Sequence, residues 1–113
     1  MKIINLTKGV ILAEEAVIAE TFFTRIRGLL GKKEFRAGDA LVIKPCNSIH
    51  TFFMRFPIDV LFSDKNNRII SAIPALAAFR ISRVYFNAAY VVELPAGVLK
   101  AAPTDIGDIL EIK

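Results

Sequence analysis

Cysteine and histidine are scarce in this chain of 113 residues, with one of each, Cys46 and His50. A single cysteine excludes an intramolecular disulfide framework. One cysteine with one histidine also excludes the common structural zinc sites, which take four such ligands. Long apolar runs are missing too. The stretch from Ile69 to Phe79 is broken by Ser71 and Pro74 and is too short to span a bilayer. Met1 to Thr7 is too short for a secretory hydrophobic region, and Glu14, Glu15 and Glu20 follow it. The expectation is a soluble protein of the reducing cytoplasm, where Cys46 needs no partner. There is no repeat, linker or low-complexity segment. No phosphate loop, oxyanion-hole motif or cofactor fingerprint is present, so no cofactor is expected.

What the chain does have is apolar mass. Hydrophobic residues make up 54% and charged residues 23%, which excludes a disordered chain. Area scaling expects a folded surface of about 6,200 Å² against about 18,000 Å² for the open chain, enough burial for one domain over residues 1–113. The net charge is +4. Much of the excess lies in Arg25, Arg27, Lys32, Lys33 and Arg36, against Glu34 alone. This basic stretch, 25–36, reads as the solvated face of a helix, with nucleic-acid binding as the second alternative function.

Turn signals divide the rest. Lys2 to Leu6 reads as a strand, Thr7-Lys8-Gly9 as a turn and Val10 to Ala19 as a further apolar stretch, together an opening hairpin. Thr21 can cap a helix over about 22–31, with Phe22, Ile26, Leu29 and Leu30 on one face and Arg25 and Lys32 outward. Gly31 stops it. Ala40 to Lys44 and Ile58 to Ser63 are strands. Asn66-Asn67 suits positive φ, and Arg68 to Ile73 returns as the second arm of a hairpin. Phe79 to Phe86 has no cleanly polar face and reads as a strand or an irregular arm. Tyr90 to Leu94, turned by Pro95-Ala96-Gly97, and Asp108 to Lys113 complete the set. The fold class is mainly β: an antiparallel sandwich or barrel of about 7–9 short strands with one short helix.

The segment from Pro45 to Val60 stands apart. Loops are normally polar because their backbone is solvated, yet this one carries Phe52, Phe53, Met54 and Phe56. It must fold back over the sheet or line a concavity. Asp59 lies in an apolar strand and needs Arg55, His50 or backbone N–H groups as partners. Cys46-Asn47-Ser48-Ile49-His50-Thr51-Phe52-Phe53-Met54-Arg55-Phe56-Pro57-Ile58-Asp59-Val60-Leu61-Phe62 closely resembles the signature of the domain-of-unknown-function 192 family. The resemblance extends to Arg27-Gly28-Leu29-Leu30, to Glu93-Leu94-Pro95-Ala96-Gly97 and to Gly107-Asp108. It implies a small, mostly β sandwich or barrel with one short helix and no established activity. The family's usual Pro-aromatic-basic stretch is replaced here by Pro74-Ala75-Leu76-Ala77-Ala78-Phe79-Arg80.

Three chemistries compete for these residues. In a binding or accessory module, His50, Phe53, Met54, Arg55, Asp59 and Glu93 would line a pocket or partner surface, the aromatics supplying area and the polar groups orientation. At least one of Phe52 and Phe53 should then be exposed. In a hydrolase-like enzyme, His50 would move a proton, Asp59 would orient it, and Cys46 or water would attack. A mononuclear metal held by His50, Asp59 and Glu93 lacks the second histidine such sites use, so no metal is assigned. The binding reading is the simpler one, with a small molecule or a protein as partner and the chain a monomer or weak homodimer.

Overall fold

The computed structural model describes residues 1–21, 24–25, 34–52 and 54–113. The accessible surface is 6490 Å², close to the area expected from mass. Among the described residues, eight strands and one short helix with set bounds follow in the order β1 (Ile3–Asn5), β2 (Val10–Ala13), β3 (Glu15–Ala19), β4 (Asp39–Ile43), β5 (Ile58–Ser63), β6 (Ile69–Leu76), β7 (Tyr90–Pro95), α1 (Val98–Ala101) and β8 (Leu110–Ile112). They form two sheets, β2-β1-β8 and β3-β4-β7-β5-β6, packed as a sandwich rather than closed into a barrel.

The opening hairpin forms as expected. Gly9 takes φ 67°, and the Asn5 side chain accepts a bond from the Lys8 N–H at 3.0 Å. The apolar stretch from Val10 to Ala19 is not one strand, however. The Gly38 carbonyl accepts from the N–H groups of both Glu14 and Glu15, at 3.0 and 2.9 Å. The chain bends there and passes from one sheet to the other. β3 then pairs with β4 in parallel, Glu15 opposite Asp39 through Ala19 opposite Ile43. A parallel pair needs a long crossover, which residues 20–38 supply; every other strand pair is antiparallel.

The helix expected at about 22–31 lies almost wholly outside the described residues, but its start is visible. Thr21 Oγ1 accepts from the Thr24 N–H at 3.1 Å while Thr24 Oγ1 accepts from the Thr21 N–H at 3.1 Å. This is a reciprocal cap with threonine in the place of the usual Glu or Gln. Asn67 takes φ 63°, as the Asn66-Asn67 turn led one to expect. The short helix α1 was not expected; it follows Gly97, whose φ of 99° ends β7. Among the described residues, no helix is long and apolar enough to cross a membrane.

The five-stranded sheet is covered on both faces, so its central strands β5 and β7 are buried along their whole length. One face packs Leu61, Val92 and Leu94 against Ile3, Leu12, Leu99 and Leu110 of the other sheet and α1. The other packs Ile43, Val60, Phe62 and Val91 under Ile49, Met54, Phe56 and Tyr85. The aromatic-rich segment therefore does fold back, as a lid over the second face.

A polar knot ties the two ends of the chain. Asn5, fully buried, donates through Nδ2 to Thr104 Oγ1 at 3.0 Å and to Asp108 Oδ2 at 2.9 Å. The same Asp108 oxygen accepts from the Asp105 N–H and from Lys8 Nζ, both at 2.9 Å. Burial alone would raise the Asp108 carboxyl, but the bonds from Asn5, the Asp105 N–H and Lys8 outweigh it and bring it down to about 2. Truncation, Asp108→Ala, removes one acceptor from three donors and leaves the Asp105 N–H without its bond, while Asn5 keeps Thr104 and Lys8 keeps Asp105; it is expected to cost about 2 kcal/mol in urea unfolding at pH 7. The gap between wild type and variant should close as pH falls from about 4 towards 2, because a depressed carboxylate stabilises only while ionised.

Candidate functional site

Asp59 sits on β5 facing the inter-sheet core, beside Leu61. It is 1% exposed. Its Oδ1 accepts from the Ala75 N–H at 2.8 Å, and its Oδ2 accepts from the N–H groups of Gly97 at 3.1 Å and Leu99 at 2.9 Å. Ala75 has φ 49° and Gly97 is the turn before α1, so both segments leave sheet pairing and need an acceptor. Of the partners considered for Asp59, the backbone N–H groups are the ones it takes; Arg55 is exposed while Asp59 points into the core. Asp59 is a fixing carboxylate that holds the end of β6 and the start of α1.

Glu93 lies across from Val60, one position along from the Asp59–Leu94 pair, so its side chain takes the opposite face of the sheet. It is 3% exposed, and among the described residues its Oε2 accepts no hydrogen bond. Burial among apolar neighbours pushes its carboxyl up to about 8. Arg25, expected to point outward, turns in instead. Its Nη1 donates to the Pro45 carbonyl at 3.2 Å, and its buried Nε has no hydrogen-bond partner among the described residues. Cys46 is half-buried and donates to the Ser48 carbonyl at 3.1 Å. Burial raises its thiol, with the Glu93 charge adding to this and the Ser48 bond and Arg25 opposing it. A raised thiol is the reverse of what an activated nucleophile needs.

His50 stands at the surface. Its backbone bridges Ile81, and its ring stacks on Phe52 at 5.5 Å between centroids. The imidazole and the two carboxylates thus occupy three places: the outer surface, the inter-sheet core and the opposite face of the sheet. Among the described residues no contact joins them into a His50–Asp59 dyad, and no group of three such side chains is placed to hold a metal. Met54, expected to line a pocket, is 6% exposed and belongs to the lid core. Phe53 lies outside the described residues. Two clefts, of about 450 Å³ beside Lys44 and Tyr90 and about 720 Å³ beside Leu99 and Ile106, are lined by none of the expected site residues.

A feature not singled out from the sequence is the partner of the 47–52 segment. Residues 79–85 run antiparallel to it. Thr51 donates its N–H to the Arg80 carbonyl at 2.8 Å, Ser82 to Ile49 at 2.9 Å and Tyr85 to Asn47 at 2.9 Å. The inner positions Ile49, Thr51 and Ser82 are buried. The outer positions are not: Phe52 is 36%, Phe79 60% and Ile81 68% exposed, and Phe86, in the turn that follows, is 88% exposed. Phe52 also meets Phe79, with ring centroids 6.5 Å apart. The missing polar face of the 79–86 stretch was the available signal, and the ribbon pairing is what turns it into a surface.

A two-sheet sandwich with an aromatic lid is the class of protein that this geometry defines. The chain belongs to the DUF192 family, described as Uncharacterized ACR, whose model matches residues 3–112. It is similar to a UPF0127 protein of Thermococcus sibiricus, 33% identical over 96% of this chain and 73% of the relative. A UPF0127 protein of Pyrococcus horikoshii is 34% identical over 94% of each. The fold is shared with a Novosphingobium aromaticivorans protein of unknown function solved by crystallography, at a TM-score of 0.87 and 15% identity, over 99% of this chain and 84% of that one. No activity is established for these proteins by their descriptions.

Proposed function

We propose that the protein is a binding or accessory module whose contact surface is the outer face of the 47–52/79–86 ribbon. The carrying observation is that Phe52, Phe79 and Ile81 stand exposed there, with Val84 and Phe86 exposed further along the same arm. Contiguous exposed apolar residues mark interaction sites in stable domains. Of the residues expected to bind, His50 lies on this ribbon and Arg55 is exposed, whereas Met54 and Glu93 are buried on the sheet face under the lid and Asp59 is buried on the opposite face. The compartment we assign is the reducing cytoplasm, on the strength of the unpaired Cys46.

A monomer fits better than a homodimer through this face. A two-fold interface would bring together two copies of a patch that carries exposed Arg80 and Arg83 and no carboxylate in residues 47–52 or 79–86. The hydrolase alternative is not favoured, since His50 and Asp59 lie apart and the Cys46 thiol is raised.

The test is a defined panel: an acidic amphipathic peptide, a single-stranded oligonucleotide and anionic lipid vesicles, each offered to wild type and to the double variant I81S/F86S. Both substituted residues are exposed, so the melting temperature is expected to stay within the equivalent of about 0.5 kcal/mol. At least one probe is expected to bind wild type about tenfold more tightly than the variant, roughly the effect of losing two partly buried apolar contacts. Equal binding to both proteins, or none to either, overturns the reading.

A further inference from the structure

We infer that the ribbon face docks on an anionic lipid surface. This rests on the contact-face reading above and names its occupant. The charge pattern speaks first. Residues 65–92 contain no Asp or Glu, and neither do residues 40–58. The cations in these stretches include Lys44, Arg55, Arg80 and Arg83, all exposed. Among the described residues no carboxylate pairs with Arg55, Arg80 or Arg83. A protein partner requires complementarity only at its own contacts. An extended plane of headgroups repels carboxylates wherever they approach it, so absence of acid over two long stretches suits a plane.

The shape of the apolar groups speaks second. Side chains that line a groove are half-covered by its walls. Phe86 at 88% and Ile81 at 68% exposed stand clear of their own protein. They are placed to enter a soft apolar medium, flanked by the cations that would meet its headgroups. Single-stranded nucleic acid would share the charge preference but wants free ring faces as stacking platforms. Here His50 and Phe52 stack on one another at 28° between planes, Phe52 also meets Phe79, and Ile81 and Val84 offer no ring, so Phe86 alone would have to serve where a strand needs successive platforms.

Co-sedimentation tests this with vesicles of phosphatidylcholine alone or mixed with phosphatidylglycerol. Wild type is expected to bind the mixed vesicles roughly tenfold better at low salt and to lose the preference as salt rises. R80Q/R83Q should abolish the preference for phosphatidylglycerol, and I81S/F86S should abolish binding to both vesicles at an unchanged melting temperature. No binding to mixed vesicles, or undiminished binding by I81S/F86S, overturns the lipid assignment. If vesicles fail while the oligonucleotide or the peptide binds wild type and not I81S/F86S, the contact face stands and lipid is the wrong occupant. If no probe separates wild type from I81S/F86S, both readings fall.

Discussion

Asp59→Ala is expected to lower the unfolding free energy by about 3–5 kcal/mol. Three backbone N–H groups, of Ala75, Gly97 and Leu99, would lose their acceptor together. Each buried donor left unsatisfied costs about 1–3 kcal/mol, with water recovering part of this at the two partly buried ones. For a domain of this size, whose total stability is of order 5–15 kcal/mol, that is a large fraction. Urea unfolding followed by circular dichroism measures it. His50→Ala is the contrast, since an exposed imidazole stacked on Phe52 should cost within about 0.5 kcal/mol. Equal and small effects of the two substitutions would show that Asp59 does not hold β6 and α1 together.

Glu93 gives the second large effect, and its sign is opposite to that of Asp108. Its folded-state carboxyl titrates at about 8 because burial disfavours the charged form, against an ordinary value of 4.5. Below pH 4.5 both folded and unfolded chains carry the proton. Between pH 4.5 and 8 the unfolded chain has released it and the folded chain has not, so stability falls steadily as pH rises. Above pH 8 the loss is complete. The full difference corresponds to roughly 5 kcal/mol, an upper figure because water entry and relaxation reduce the cost of a buried charge. Glu93→Gln keeps the shape and removes the titration. It is expected to be more stable than wild type at pH 8, by several kcal/mol, and close to wild type at pH 4. Unfolding curves of both proteins between these limits check it; parallel profiles would mean that Glu93 ionises freely in the fold.

Much of the architecture was readable from local pattern. β5 and β7 lie mid-sheet with both faces covered, so their residues form apolar runs that need no alternation. Ile58, Val60 and Phe62 could be assigned to one face and Asp59 and Leu61 to the other by the two-residue period alone. Thr21 could be read as a helix cap and Asn67 as a turn residue because both effects act within three or four residues. The apolar stretch from Val10 to Ala19 misled, because the break at Glu14 is made by the Gly38 carbonyl, more than twenty positions away.

The site was less readable, and the reason is register. Whether Asp59 and Glu93 share a face depends on β5 pairing with β7 so that Val60, not Asp59, stands opposite Glu93. A shift by one residue would have brought the two carboxylates to the same side. The knot of Asn5, Thr104 and Asp108 spans 99 and 103 positions, and no local motif announces it.

Composition and spacing by themselves determined a mainly β fold, the inward fold of the aromatic segment and the scarcity of metal-binding side chains, and the resemblance carried by residues 46–62 added the family. The first two follow from local periodicity and from the cost of leaving apolar residues in water. Only the tertiary structure decided which polar groups meet. It sent Asp59 to backbone donors, sealed Glu93 beneath the lid, and left His50, Ile81 and Phe86 facing solvent. Those outcomes depend on strand pairing between residues far apart in the chain, where a single step of register moves a side chain from one face of a sheet to the other.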